Sequence, residues 1–257
     1  MNRIEKKFEG IKSEGRKGLV GYLTAGDPDI ERSENNIREA IDGGLDVLEL
    51  GVPFSDPTAD GPTIQEASQR ALASGATVRG AIELVGRLRK HTDIPIVLFG
   101  YANPFFIYGY EKLCADAAAA GVDGFLVVDM PYEESGEMKD ALNEHNLCRI
   151  PLIAPTTGED RAALILEEAA GFVYYIMFKG VTGQRGEVAS DVGEHIGPLR
   201  EFTDLPIAVG FGISSGEQAR EAVSSADAVV VGSALVEAGR SGRIGELVSD
   251  LSGALRS

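Results

Sequence analysis

Eight short, β-branched apolar runs separated by longer segments of helical period constrain this chain more than any other feature. They are LVGYL (19–23), DVLELG (46–51), PIVLFG (95–100), DGFLVVD (123–129), RIPLIA (149–154), FVYYIMF (172–178), PIAVGFG (206–212) and ADAVVVG (226–232). Strands this continuously apolar must be covered on both faces, and their alternation with helices marks βα units around a parallel sheet. The segment TDIPIVLFG (92–100) returns as TDLPIAVGFG (203–212), as repeated units would. Closure of eight strands removes both sheet edges, and 257 residues match the roughly 250 of one closed barrel. The expected fold is therefore α/β, a single (β/α)8 TIM barrel spanning 1–257 as one domain. A doubly wound open sheet is the alternative.

Helical periodicity falls on 31–42, 78–90, 134–145, 159–170 and 215–224, with start signals near Thr157 and Ser214. At the N-terminus Ile4, Phe8 and Ile11 recur at helical spacing, which predicts a docking helix that closes the bottom of the barrel and not a signal peptide. No run approaches the length needed to cross a bilayer, so a cytoplasmic location is expected. The balance of 40 acidic to 24 basic residues, a formal charge of −16, repels nucleic acid and anionic lipid. Cys114 and Cys148 match no metal or redox spacing and read as reduced packing residues.

Two intervals, 52–62 and 179–191, exceed what a tight βα turn needs, and both follow strand C-termini, where barrel enzymes carry their chemistry. Glu49 alternates with Leu48 and Leu50, so a strand would turn it away from its apolar neighbours, toward the barrel interior or rim. Burial there raises a carboxyl pKa toward the range of a general acid–base, whereas the bland alternative is a salt-bridged core glutamate. Asp60 lies in GVPFSDPTADGP (51–62), stiffened by Pro53, Pro57 and Pro62; both it and Asp56 could instead be Asx-turn residues. Glycine-rich ends at GVTGQRG (180–186), GFGISSGE (210–217) and VGSAL (231–235) suit close approach of an anion to backbone N–H groups, although glycine also punctuates turns. His91 and His145 fall near helix C-termini, and His195 has no partner spacing. Neither metal hydrolysis nor Ser/Cys acyl transfer has a motif to rest on.

The segment LELGVPFSDPTADGPTIQEA (48–67) closely resembles the loop 2 signature of the tryptophan synthase alpha subunit family. The similarity runs on through TAGDPD (24–29), YANPFF (101–106), PLIAPTT (151–157), KGVTG (179–183), GFGISS (210–215) and VGSALVE (231–237). The resemblance implies a (β/α)8 barrel lyase, with no metal or organic cofactor of its own. Its reaction is retro-aldol cleavage of indole-3-glycerol phosphate to indole and glyceraldehyde 3-phosphate, late in tryptophan biosynthesis. It implies Glu49 as the proton shuttle, Asp60 as the acid on the indole N–H, and Tyr174 as the active-site tyrosine, with its neighbour Tyr175 pointing the opposite way. Thr182 would meet Asp60 on closure. Gly183, Phe211, Gly212, Gly232 and Ser233 match the phosphate cradle, and Tyr22, Ile64, Phe99 and Leu126 the indole walls. The implied partner is a beta subunit that receives the indole in an alpha2beta2 heterotetramer and carries its own pyridoxal phosphate; Pro53, Asp56 and Pro57 would form part of that contact. Tyr22 stands where phenylalanine is frequent, Thr58 where leucine is frequent, and Phe178 and Lys179 where an Arg-containing stretch is usual, yet every catalytic group is present. Other readings are another phosphate-binding barrel enzyme, such as a sugar-phosphate isomerase or epimerase, epimerases of this kind needing metal-ligating His/Asp sets not found here, and a barrel that only activates a partner. Intact Glu49 and Asp60 argue against the second.

Overall fold

The computed structural model describes residues 2–176, 193–210 and 212–256. Nine parallel strands form one sheet: β1 Gly18–Thr24, β2 Val47–Gly51, β3 Ile96–Gly100, β4 Gly124–Val127, β5 Cys148–Arg149, β6 Leu152–Ile153, β7 Val173–Ile176, β8 Ile207–Gly210 and β9 Ala228–Val231. Their order is β5-β4-β3-β2-β1-β9-β8-β7-β6. The two outermost strands, β5 and β6, are consecutive pieces of one run, so the order returns on itself and the eight expected runs wind into an α/β barrel.

That run is split because Pro151 has no N–H to give the ladder. The Ile150 N–H is the last donor to β4, reaching the Phe125 carbonyl at 2.9 Å, and the Pro151 carbonyl then accepts from Tyr174 N–H at 2.9 Å on the other side. One segment thus hands the ladder from β4 to β7.

Alternation along the strands sorts the apolar residues into two layers. Val20, Val47, Val97, Phe99, Leu126, Phe172, Ala208, Ala228 and Val230 fill the inside of the barrel. Their sequence neighbours, such as Leu19, Leu48, Leu50, Leu98, Val209 and Val229, pack outward beneath the helices. The helix Arg3–Ser13 begins with a capping box between Asn2 and Glu5 and buries Ile4, Phe8 and Ile11. Those three side chains join the inner layer, with the Phe8 ring 5.7 Å from Phe172. The helix therefore plugs the N-terminal end of the barrel, as its spacing predicts.

The expected helices are present at Ile30–Asp42, Val78–Leu88, Gly136–Glu144, Glu159–Glu167 and Gly216–Ala222. The start near Thr157 needs correction. Its hydroxyl accepts from Ala154 N–H at 3.2 Å and closes a turn, while Gly158 occupies the N-cap of Glu159–Glu167. Both cysteines are buried free thiols. No helix among the described residues is long and apolar enough to cross a membrane.

Candidate active site

Glu49 projects from the middle of β2 into the barrel, paired in register with Tyr22 on β1 and Val97 on β3. It is 1% exposed, and its Oε1 has no hydrogen-bond partner. The salt-bridged alternative is excluded: no cation lies within ion-pairing distance of it among the described residues. A carboxylate buried without a partner is costly, so the proton is held, and burial pushes its pKa up to about 8.

Above it the C-terminal mouth is built from aromatic residues. Tyr22 meets Phe99 edge-on, with ring centroids 5.1 Å apart. Its hydroxyl accepts from Thr24 at 3.3 Å. Gly51 has to be glycine here, since a Cβ would fall 2.1 Å from the Tyr22 hydroxyl. Gly210 on β8 makes the same allowance for Tyr174, whose hydroxyl would lie 2.6 Å from a Cβ. Tyr174 joins the inner layer and Tyr175 the outer one, the opposed orientation that alternation predicts. Burial, followed by the charge of Asp60 at Tyr22 and of Glu49 at Tyr174, pushes both phenols above their ordinary range, so both remain hydroxyl donors.

Asp60 sits on the loop between β2 and the helix Pro62–Ala73. Its Oδ2 accepts from the Tyr101 hydroxyl at 3.0 Å, and the same hydroxyl accepts from Ala59 N–H at 3.0 Å. The side chain makes no Asx turn; Gln65 Nε2 holds its carbonyl at 2.8 Å instead. Burial raises the Asp60 pKa to about 6, with the Tyr101 hydrogen bond opposing the rise. Tyr101 was not singled out as a site residue from sequence, although YANPFF placed it at the end of β3, where a polar aromatic residue can reach the mouth. Asp56 is exposed and accepts from Ser55 Oγ at 2.6 Å; Pro57 is half-buried and Pro53 is buried within the chain.

The two described glycine-rich ends differ. The helix Gly216–Ala222 is closed to an anion, because Ser215 caps it and its first N–H donates to Asp250 Oδ2 at 2.8 Å. By contrast, no side chain among the described residues caps the helix Ser233–Arg240, whose N-cap is Gly232. A Cβ on Gly232 would lie 3.5 Å from Ile64 Cδ1 and 3.7 Å from Tyr22 Cβ, so this open helix start lies beside the side chains of Tyr22 and Ile64. Gly212 is exposed with φ +73. Leu126 and Phe99 line the inner layer beneath. Thr182, Gly183, Phe211 and the interval 179–191 lie outside the described residues. No cluster of His, Cys, Asp and Glu suited to a metal occurs among the described residues.

Two carboxyl groups held at different pKa values beside an open helix N-terminus, at the C-terminal mouth of a (β/α)8 barrel, define an acid–base enzyme of the barrel class. Residues 8–246 match the family model of the tryptophan synthase alpha chain. The chain is 49% identical over 253 residues to the tryptophan synthase alpha chain of Geobacter sp. (strain M21), covering 98% of this chain and 95% of that one. It is 50% identical over 234 residues to that of Desulfatibacillum aliphaticivorans, covering 91% and 88%. Among solved structures, tryptophan synthase subunit alpha from Legionella pneumophila str. Paris superposes with a TM-score of 0.92 at 36% identity, covering 99% of this chain and 98% of that one. The chain belongs to the tryptophan synthase alpha chain family.

Proposed function

We infer that this chain cleaves indole-3-glycerol phosphate to indole and glyceraldehyde 3-phosphate in tryptophan biosynthesis, with Glu49 moving the proton. The observation that carries the role of Glu49 is a fully buried, unpartnered carboxyl at a pKa of about 8, fixed on a strand. Near pH 7 it enters the reaction protonated. It gives that proton to C3 of the indole ring, and the resulting carboxylate takes the proton of the glycerol hydroxyl on the carbon bonded to C3. The bond between that carbon and C3 then breaks, leaving an aldehyde and indole.

Asp60, at about 6, is ionised in the same range and accepts from the indole N–H, stabilising the positive charge that develops as C3 is protonated. Tyr22, Ile64, Phe99 and Leu126 form the apolar walls around the ring, and Tyr174 presents a hydroxyl between them. Gly212, Gly232 and Ser233 receive the phosphate, drawn by the uncapped N–H groups of Ser233–Arg240.

The chain works with a beta subunit as its partner, in an alpha2beta2 arrangement in the cytoplasm. On that contact Asp56 and Pro57 supply surface, and buried Pro53 sets the backbone beneath them. Residues 1–257 act as one barrel domain, a reading supported by the single ring of strands from β1 to β9. The reaction needs no metal or organic cofactor on this chain, because protonation of the ring makes it the leaving group; the pyridoxal phosphate is the beta subunit's. The test is indole release from indole-3-glycerol phosphate with the beta subunit present. Glu49→Gln should fold normally and lose roughly 10²- to 10⁴-fold in kcat, the range of general acid–base catalysis. Turnover like the parent protein would overturn the assignment.

A further inference from the structure

A cavity of about 120 Å³ opens in the barrel wall where the ladder passes from β4 to β6. Because β5 pairs with only two residues of β4, the wall is left incomplete there, and the cavity touches both layers: Leu152 from the inner one, and Phe125, Met138 and Leu142 from the outer one. Arg149 is the charged residue in its lining.

Arg149 is unusual in this acid-rich chain. Arg3, Arg16, Arg38, Arg70, Arg87 and Arg89 are also at least partly buried, and each has a carboxylate within 4.0 Å. Arg149 has none among the described residues. Its Nη1 donates to Ser135 Oγ at 3.1 Å, its Nη2 reaches the Ile165 carbonyl only at 3.5 Å, and its buried Nε has no acceptor. The guanidinium lies over the Tyr132 ring, 5.2 Å from the centroid. The neighbouring acid, Glu168, is taken by Lys139 at 3.0 Å. Burial accordingly pulls the Arg149 pKa down, the Glu168 charge opposing it.

A half-buried cation without a counter-ion beside an apolar cavity has the chemistry of half an ion pair. We propose that this cavity binds a small amphipathic carboxylate, its apolar body among Phe125, Met138 and Leu142 and its carboxylate on the Arg149 guanidinium. Guanidinium and carboxylate match in planar, two-pronged geometry, which selects carboxylate over a neutral isostere. The volume sets the size of the body near a single ring, since an engineered cavity of about 150 Å³ holds benzene.

Benzoate is a suitable probe, and Met130 and Met138 in the cavity lining are built-in reporters. With methyl-13C methionine in the full-length chain, benzoate should give saturable shifts at both methyl groups. Benzamide, of the same shape without the charge, should bind at least ~10-fold more weakly, as should benzoate to Arg149→Gln, the loss expected for one charged hydrogen-bonding partner. Glu49→Gln should bind benzoate like the parent, which separates this cavity from the active site. Absence of saturable shifts, equal binding of benzamide, or displacement of benzoate by indole would overturn the proposal. If Arg149→Gln does not fold, the benzoate and benzamide comparison on the parent chain decides it.

Discussion

Glu49 and Asp60 both act on the buried phenols of Tyr22 and Tyr174, and their own surroundings drive them to different protonation states. Glu49 has desolvation with nothing to offset it, whereas Asp60 keeps one hydrogen bond from Tyr101. The pH dependence of kcat/KM should therefore be a bell with limbs near 6 and 8, the first requiring ionised Asp60 and the second protonated Glu49. Tyr101→Phe removes a hydrogen bond that favours the charged form of Asp60, so the acid limb should move to higher pH while the alkaline limb stays. An unmoved acid limb would show that Tyr101 does not tune Asp60. Glu49 also costs stability at alkaline pH. Below the unfolded value of 4.5 both states hold the proton; between 4.5 and about 8 the unfolded chain loses it first, so stability falls as pH rises through that window. Glu49→Gln removes the dependence. Urea melts should find it level with the parent near pH 4.5 and more stable by roughly 4 kcal/mol near pH 9, at 1.36 kcal/mol per pKa unit.

At the scale of the elements, the mouth depends on what neighbouring strands omit. Gly51 and Gly210 leave the space into which Tyr22 and Tyr174 lay their phenol groups. Gly51→Ala should destabilise by about 1–3 kcal/mol through overpacking and depress activity, because the Tyr22 ring is rigid and must be expelled from its place. In a Tyr22→Ala background the stability cost should shrink to a few tenths of a kcal/mol, which thermal melts of the double-mutant cycle would resolve. The loop bearing Asp60 is tied at its far end by the helix Pro62–Ala73. Arg70 on that helix donates twice to Asp27, at 2.7 and 2.8 Å, and so docks it on the loop after β1. Ile64 and Asp60 are held on one side of the mouth by this clamp.

At the scale of the molecule, the proposed catalytic residues and the N-terminal plug occupy opposite ends of the barrel. The N-terminal helix fills the bottom with Ile4, Phe8 and Ile11, while Arg16 pairs with buried Asp46 at 2.7 Å and Arg3 with buried Asp123 at 3.0 Å around the rim. Phe8→Ala leaves a hole against Phe172 and should cost about 3 kcal/mol in urea unfolding, with kcat of the folded enzyme nearly unchanged. A large loss of kcat with stability intact would contradict this division.

Local physics determined much of this protein. Continuous β-branched apolar runs chose the strands, and the alternation of Leu48, Glu49 and Leu50 chose the face of the carboxylate, because successive side chains on a strand must point opposite ways. The spacing of Ile4, Phe8 and Ile11 likewise named the plug. Tertiary structure decided what depends on groups distant in the chain. Tyr101 lies 41 residues from the Asp60 it holds, and no spacing reveals such a pair. Whether a glycine-rich helix start can take an anion depended on Asp250, which closes Gly216–Ala222, and on the absence of any such cap among the described residues at Ser233–Arg240. The pKa of Glu49 is of the same kind: strand periodicity sent it inward, but only the assembled barrel removed its water and left it without an ion-pair partner among the described residues, and that desolvation keeps its proton on at neutral pH.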